Sequence, residues 1–309
     1  MILLKTRQEA LINKKVYDVL YIGNYTKDTI ITPRETRNVD GGAVNYAARA
    51  VACLGLQPAV VTRLAREDQH VVDGLNQAGV DVFVTYSPQS TLMVLEYPTA
   101  NPDIRNLSVR STAGTITPDE VQLLDAKAAV IGSSLRGEVG LDVILSLKAK
   151  KMQVAADMQG FVRVLRGEEL VYEPWGEMEL TLAHLDILKS DMVEAGFLTG
   201  ETDIHRAARF YANLGPREIV LTHQDGVLIW ADGQEFEYGF YPRQLNGRSG
   251  RGDTCIGTYV AMRLGKDPAE AGMWAAAVTS LKMEKQGPFD RSLGEVQEFI
   301  QTHYTHASI

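Results

Sequence analysis

The sequence predicts a doubly wound α/β fold: a mostly parallel sheet sandwiched between helices, with a small β lid. Three observations predict it. Strand-like segments alternate with helix-like segments of ten or more residues, the spacing that parallel strands need for their crossovers. Polar turn residues follow the strands, at Asn24–Asp28, Asp157, Lys189–Glu194 and Thr222–Gly226, at the carboxyl ends where such sheets bind ligands. Two polar, extended stretches carry no helical period and stand apart from the alternation.

In chain order, Val16–Ile22 reads as a strand. Ala43–Leu54 is helical, because Val44, Ala47, Val51 and Leu54 share one face. Pro58–Leu64 is a strand and Asp68–Ala78 a helix. Ala128–Ile131 is a short buried strand, followed by a helix over Val139–Ala149. Met152–Ala156 is a strand that ends at Asp157. Leu185–Leu188 and Glu218–Thr222 repeat the pattern, each with a helix after it. Two long helices, Gly252–Leu264 and Pro268–Glu284, close the chain. The two exceptions are Thr32–Asp40 and Thr85–Ser111, the latter with strand-like pieces at Thr91–Tyr97 and Asn106–Arg110 around Pro98 and Pro102. They form either a β flap over the site or an edge hairpin without function. With no repeat or linker, residues 1–309 read as one domain, its lid made by residues 32–40 and 85–111.

With 45% hydrophobic residues, 309 residues suffice for a large core. The 31 basic against 39 acidic residues give a net charge of −8. An acidic chain without a long Lys/Arg run predicts no nucleic-acid and no membrane partner. Cys53 and Cys255 have no zinc-site spacing and read as reduced thiols. Met1–Leu4 is too short for a signal-peptide core, and no apolar run approaches the ~20 residues of a membrane span. The expected location is the cytoplasm; monomer and homodimer both stay open.

The most informative segment is Asn246–Gly257. Gly247, Gly250 and Gly252 precede an apolar helical run. Glycines let a backbone approach a ligand closely, and the first turn of a helix offers free N–H groups and partial positive charge. Such a turn suits a phosphoryl group. Asp253 sits on it, as a base for an attacking hydroxyl or as a helix cap. No Walker-type phosphate loop occurs.

Here the sequence resembles the ribokinase-like (PfkB) carbohydrate kinases. Gly250-Arg-Gly-Asp253 is similar to that family's G-A-G-D signature. Gly41-Gly42-Ala43-Val44-Asn45-Tyr46-Ala47 with Leu54-Gly55 resembles G-G-x-x-x-N-x-A…L-G, and Gly23–Asp28 resembles G-x-x-x-x-D. Asp157–Arg163 resembles D-P-x-x-x-x-R. Lys189–Glu194 with Leu198–Gly200 resembles K-P-N-x-x-E…L-T-G, and Leu221–Gly226 resembles T-x-G-x-x-G. The blocks run in family order from about residue 16 to residue 289.

The resemblance implies ATP-dependent phosphoryl transfer to a polyol or sugar. Asp253 is then the base, with the Gly250, Arg251 and Gly252 amides as anion hole. Asp28, Gly42 and Asn45 hold substrate hydroxyls, and Arg163 is counted with them, either reaching a phosphate or bridging a core loop. Asp191 and Glu194 organise Mg2+, unless Asp191 caps its helix. Lys189, Thr222, Gly226, Ala275 and Thr279 border the nucleotide. A monovalent cation beside the anion hole is a further family feature. Arg251 for Ala, Asp191 for Asn, the shortened His223-Gln224-Asp225 segment and Ala275 for Asn together resemble a myo-inositol kinase branch. Arg251 brings a full charge to the anion hole: at ~4 Å and an effective dielectric of about 20, a charge pair contributes on the order of 4 kcal/mol before desolvation. A nucleoside kinase, with Tyr25, Tyr46 or Phe161 as base platform, and a non-catalytic binding relative are the alternatives.

Overall fold

The computed structural model describes residues 15–99 and 106–304. The apolar start, Met1–Leu4, and the part of the proline turn at residues 100–105 lie outside the described residues.

The strands in chain order are β1 (Val16–Ile22), β2 (Thr26–Ile31), β3 (Thr36–Asp40), β4 (Pro58–Leu64), β5 (Asp81–Tyr86), β6 (Thr91–Glu96), β7 (Asn106–Ser111) and β8 (Asp125–Ile131). They continue with β9 (Gln153–Asp157), β10 (Arg163–Arg166), β11 (Glu169–Tyr172), β12 (Ile187–Asp191), β13 (Glu218–Thr222), β14 (Gly226–Ala231) and β15 (Gln234–Gly239). Nine of them form one sheet in the order β15-β14-β13-β12-β9-β8-β1-β4-β5. All its pairings are parallel except β13–β14 and β14–β15.

Side-chain alternation splits the core in two. On β1, Val19 and Tyr21 face the layer that holds helices Ala43–Cys53, Arg251–Arg263, Pro268–Met283 and Leu293–His303. Leu20 and Ile22 face the opposite layer, with helices Leu141–Ala149 and Ile204–Ala212. Strands buried on both faces need continuous apolar runs, as in Val-Leu-Tyr-Ile of β1 and Ala-Ala-Val-Ile of β8. From β1 the sheet grows toward β4 on one side and β8 on the other, so strand order reverses there. The carboxyl ends of β1 and β8 are therefore the switch point where ligands bind. There, a Cβ on Gly23 would lie 2.4 Å from the Gly132 carbonyl oxygen, so the two chains touch backbone to backbone.

Several expectations need correction. Asp28 is not in a loop; it lies within β2, opposite Val39 and Met93. No helix follows Glu218–Thr222. The chain turns back as the hairpins of β14 and β15, because Val227–Ala231 is a short apolar run bounded by Gly226 and Asp232-Gly233. Asp232 and Gly233 take φ of 47° and 86°, the left-handed pair of a tight hairpin turn. A third helix, Leu293–His303, follows the two long ones, started by a capping box at Ser292 and Glu295. The second sheet has six strands, in the order β10-β11-β7-β6-β2-β3. The sequence reading missed β2, β10 and β11 and counted Thr85 and Tyr86 with the lid; both end β5, on the edge of the large sheet.

Candidate active site

Helix Arg251–Arg263 begins at Gly250, whose φ of 76° is left-handed, and no side chain caps its first turn. Two constraints make Gly250 glycine. An L side chain resists that φ, and a Cβ would fall 2.2 Å from the Tyr46 ring. Two residues on, a Cβ at Gly252 would fall 2.6 Å from Lys189 Nζ. The turn's backbone is thus the surface it presents.

Asp253, on the first turn, is half-buried. It lines a small cavity at the switch point together with Asp157, Tyr21 and Gly132. Burial, and then the Asp157 charge, push its carboxyl up to about 6, against the pull of Lys189, Arg163 and Lys282. A base poised near neutrality is what proton abstraction from a hydroxyl requires.

Behind the turn lies a buried charge network. Lys189 Nζ donates to Asp157 Oδ2 at 2.9 Å. Burial alone would lower the Lys189 pKa, but Asp157, Glu194 and Asp191 hold it above its ordinary value. Arg163 Nη2 donates to Glu194 Oε1 at 3.2 Å, both buried. Asp191 caps the helix Met192–Thr199, accepting at Oδ1 from the amides of Val193 (2.9 Å) and Glu194 (2.8 Å). Glu194 Oε2 accepts from the Asp191 amide at 3.2 Å. Burial and the Asp191 charge raise the Glu194 carboxyl above its ordinary value. Both Glu194 oxygens are engaged, and no cluster of three His, Cys, Asp or Glu ligands occurs among the described residues. With both Glu194 oxygens engaged and Asp191 Oδ1 capping the helix, these two carboxylates do not stand as a ready set of direct metal ligands.

On the other side of Asp253, Asp28 is buried and its Oδ1 has no hydrogen-bond partner within the protein. An orphaned buried carboxylate oxygen signals a missing partner. Burial raises this carboxyl to about 6; the Thr26 hydroxyl opposes that, and the Asp253 charge adds to it. Gly41 makes room: a Cβ there would lie 2.2 Å from Asp28 Oδ2. Gly42, φ 91°, starts helix Ala43–Cys53. Asn45 is buried and already engaged, donating to the Asp40 carbonyl at 3.1 Å and accepting from Arg49 Nε at 2.9 Å. A cleft of about 390 Å³ opens between the small sheet and the glycine turn, walled by Ile30, Arg37, Asn45, Tyr46, Arg248 and Lys282 among others.

The residues expected at a nucleotide are closed in. Thr222 is 1% exposed, and Ala275 and Thr279 are 0% exposed. A Cβ on Gly226 would lie 2.4 Å from the Tyr238 carbonyl oxygen. Helix Pro268–Met283 packs flush on β14 and β15, where a Cβ at Gly272 would meet Ile229 at 2.6 Å and the Tyr238 ring at 2.9 Å. Arg251 stands 6.0 Å over the Phe240 ring.

The structure thus brings Asp28, Gly42, Asn45, Lys189 and the 250–253 turn to one end of the sheet, with Asp191, Glu194 and Arg163 as the network behind. Thr222, Gly226, Ala275 and Thr279 sit in packed surroundings. Asp157 and Lys282 were given no role in the sequence reading. Asp157's place at a strand's carboxyl end was a signal for it. A lone lysine after a run of small and apolar residues, Ala275–Leu281, was the signal for Lys282.

No family model matches the chain. Among solved structures, a pyrophosphate-dependent kinase of the ribokinase family, complexed with a pyrophosphate analog and myo-inositol, is 33% identical with a TM-score of 0.84, covering 91% of this chain and 99% of that one. A second, described as a pyrophosphate-dependent myo-inositol-1 kinase converted into a myo-inositol-3 kinase, is 34% identical with a TM-score of 0.83, covering 92% and 98%. The cytidine kinase of Thermococcus kodakarensis is 25% identical over 254 residues, 79% of this chain and 87% of that protein.

Proposed function

Because this chain belongs to the ribokinase family of kinases, we propose that it phosphorylates a hydroxyl of a small polyol, myo-inositol first, with pyrophosphate as donor. The observation that carries this is Asp253 on an uncapped, glycine-lined helix start, its charge reaching the buried Asp28, whose Oδ1 is orphaned. Asp28, held tight against Gly41, accepts hydrogen bonds from ring hydroxyls. Asp253 takes the proton of the attacking hydroxyl. The amides of the turn, with the Arg251 charge, hold the phosphoryl in transit, when positioning and charge stabilisation do nearly all the catalysis. Magnesium, where the donor brings it, screens the phosphate charge; Asp191 and Glu194 would orient its water shell.

ATP, the donor implied by the sequence resemblance, is the less favoured reading. The side chains expected at adenine, Ala275 and Thr279, lie on the buried face of helix Pro268–Met283 and are closed to solvent, which supports a donor without a base. The relatives at 33–34% identity are described as pyrophosphate-dependent. A nucleoside acceptor is disfavoured because Tyr25 and Phe161 are buried, Tyr25 bonded to Asp40 and Phe161 stacked on Trp175, while the ring of Tyr46, which walls the cleft, is already packed against Gly250 and Lys282.

The test is a matrix of acceptors (myo-inositol, ribose, fructose, cytidine, adenosine) against donors (pyrophosphate, ATP, ADP), read by phosphorylated product. Product from myo-inositol with pyrophosphate is expected. Product with ATP alone overturns the donor, product from cytidine or adenosine alone overturns the acceptor, and no product in any cell overturns the kinase.

A further inference from the structure

We infer that the side-chain ammonium of Lys282 is the built-in cation of the glycine turn, standing where a soluble monovalent cation would otherwise be required. This rests on the phosphoryl-transfer reading above. Lys282 lies at the end of helix Pro268–Met283 and is 2% exposed. Its Nζ donates to the carbonyls of Gly247, at 2.8 Å, and of Ser249, and stands 5.2 Å over the Tyr46 ring. That ring is the one packed against Gly250. Main-chain bonds fasten the same turn to the same helix end: the Asn246 and Gly247 amides donate to the Met283 carbonyl at 3.0 and 2.9 Å.

Carbonyl oxygens converging on a buried centre, one face closed by an aromatic ring, make a cation site. Here the cation is covalently attached. The carbonyls of Gly247 and Ser249 are already satisfied, so this place does not fit an alkali ion.

The consequence for chemistry follows from peptide geometry. In a planar trans peptide the N–H points opposite to the C=O. With the Ser249 carbonyl turned to Lys282, the Gly250 N–H of that same peptide is turned away from it. The ammonium thereby orients an amide of the proposed anion hole. It also places a full positive charge within reach of Asp253, whose own charge partly offsets the burial that pulls the Lys282 pKa down to about 8. Burying an ammonium on carbonyls rather than on a carboxylate is costly, which is reasonable where the charge must remain available to an incoming anion. Lys282 is thus a positioning residue.

The experiment uses the full chain, with pyrophosphate and ATP binding followed by calorimetry and turnover with myo-inositol, in potassium, sodium, ammonium or choline chloride at equal ionic strength. The wild type is expected to bind and turn over equally, within about twofold, in all four salts. Lys282→Met is expected to lose about tenfold or more in pyrophosphate affinity and in kcat, with the acceptor KM changed less than about threefold, and to regain about fivefold in ammonium or potassium but not in choline. A wild type that works only with potassium or sodium overturns the inference. So does a folded Lys282→Met that behaves as wild type, or one that no small cation rescues. If Lys282→Met does not fold, the salt comparison on the wild type decides alone. A wild type that binds neither pyrophosphate nor ATP in any salt sinks the kinase reading, a result distinct from salt-dependent binding.

Discussion

Asp253 and Asp28 bring two negative charges into one site, and burial keeps both carboxyls near 6 rather than near 4. Ionisation of Asp253 is therefore a cost that folding has to bear. A carboxyl whose folded pKa exceeds its unfolded value favours the fold fully below the unfolded pKa, and that contribution is lost as pH rises through the folded one. At pH 8, Asp253→Asn is expected to raise unfolding stability by on the order of 1–3 kcal/mol. Turnover should fall by ~10²–10⁴ if the side chain is the base. Thermal unfolding and product formation on the same sample check both; near-normal turnover refutes the role. The wild-type kcat/KM should climb with pH to a plateau along a limb centred near 6. Because burial and the Asp157 charge, rather than Asp28, raise the Asp253 carboxyl, Asp28→Asn should leave that limb within about one unit, and a limb below pH 5 in the wild type would contradict the burial argument.

At the scale of the element, the helix start at Gly250 is over-determined. The positive φ and the Tyr46 ring each exclude a side chain. Gly250→Ala is expected to destabilise by about 1–3 kcal/mol and to depress turnover. Adding Tyr46→Ala should recover part of the stability by removing the clash, while the strain at φ stays. Urea unfolding of the single and double variants separates the two, and a fully additive pair refutes the Tyr46 contact. Other elements show where local reading worked. The glycines and Asp253 announced a helix start because few other local structures need that composition. The capping box of Asp191 and Glu194 was one of two readings of the same residues. Only the structure, by placing Arg163 on Glu194, shows that both Glu194 oxygens are engaged. The β13–β15 hairpins were misread as strand and helix, since a short apolar run has no period long enough to distinguish the two.

At the scale of the whole molecule, the cleft belongs to neither sheet alone. Arg37 on β3 reaches Gln286 beyond helix Pro268–Met283, so the small sheet and the helical layer meet across it. Arg37→Ala is expected to raise the acceptor KM by about 3- to 10-fold with kcat changed less than about threefold, the pattern of lost ground-state binding. Steady-state kinetics check this, and an equal fall in kcat would assign Arg37 to the transition state instead. The sequence alone determined most of the alternation of strands and helices, the polar turns at the strands' carboxyl ends and the identity of the carboxylate at the glycine turn, because periodicity, turn chemistry and helix-start composition are local. Tertiary structure alone decided what lies against what. It put Asp28 on a strand beside Asp253 and closed Ala275 and Thr279 into the interior. It also seated the Lys282 ammonium on carbonyls more than thirty residues upstream. Contacts between distant segments depend on the packing of complete layers, and no window of sequence contains them.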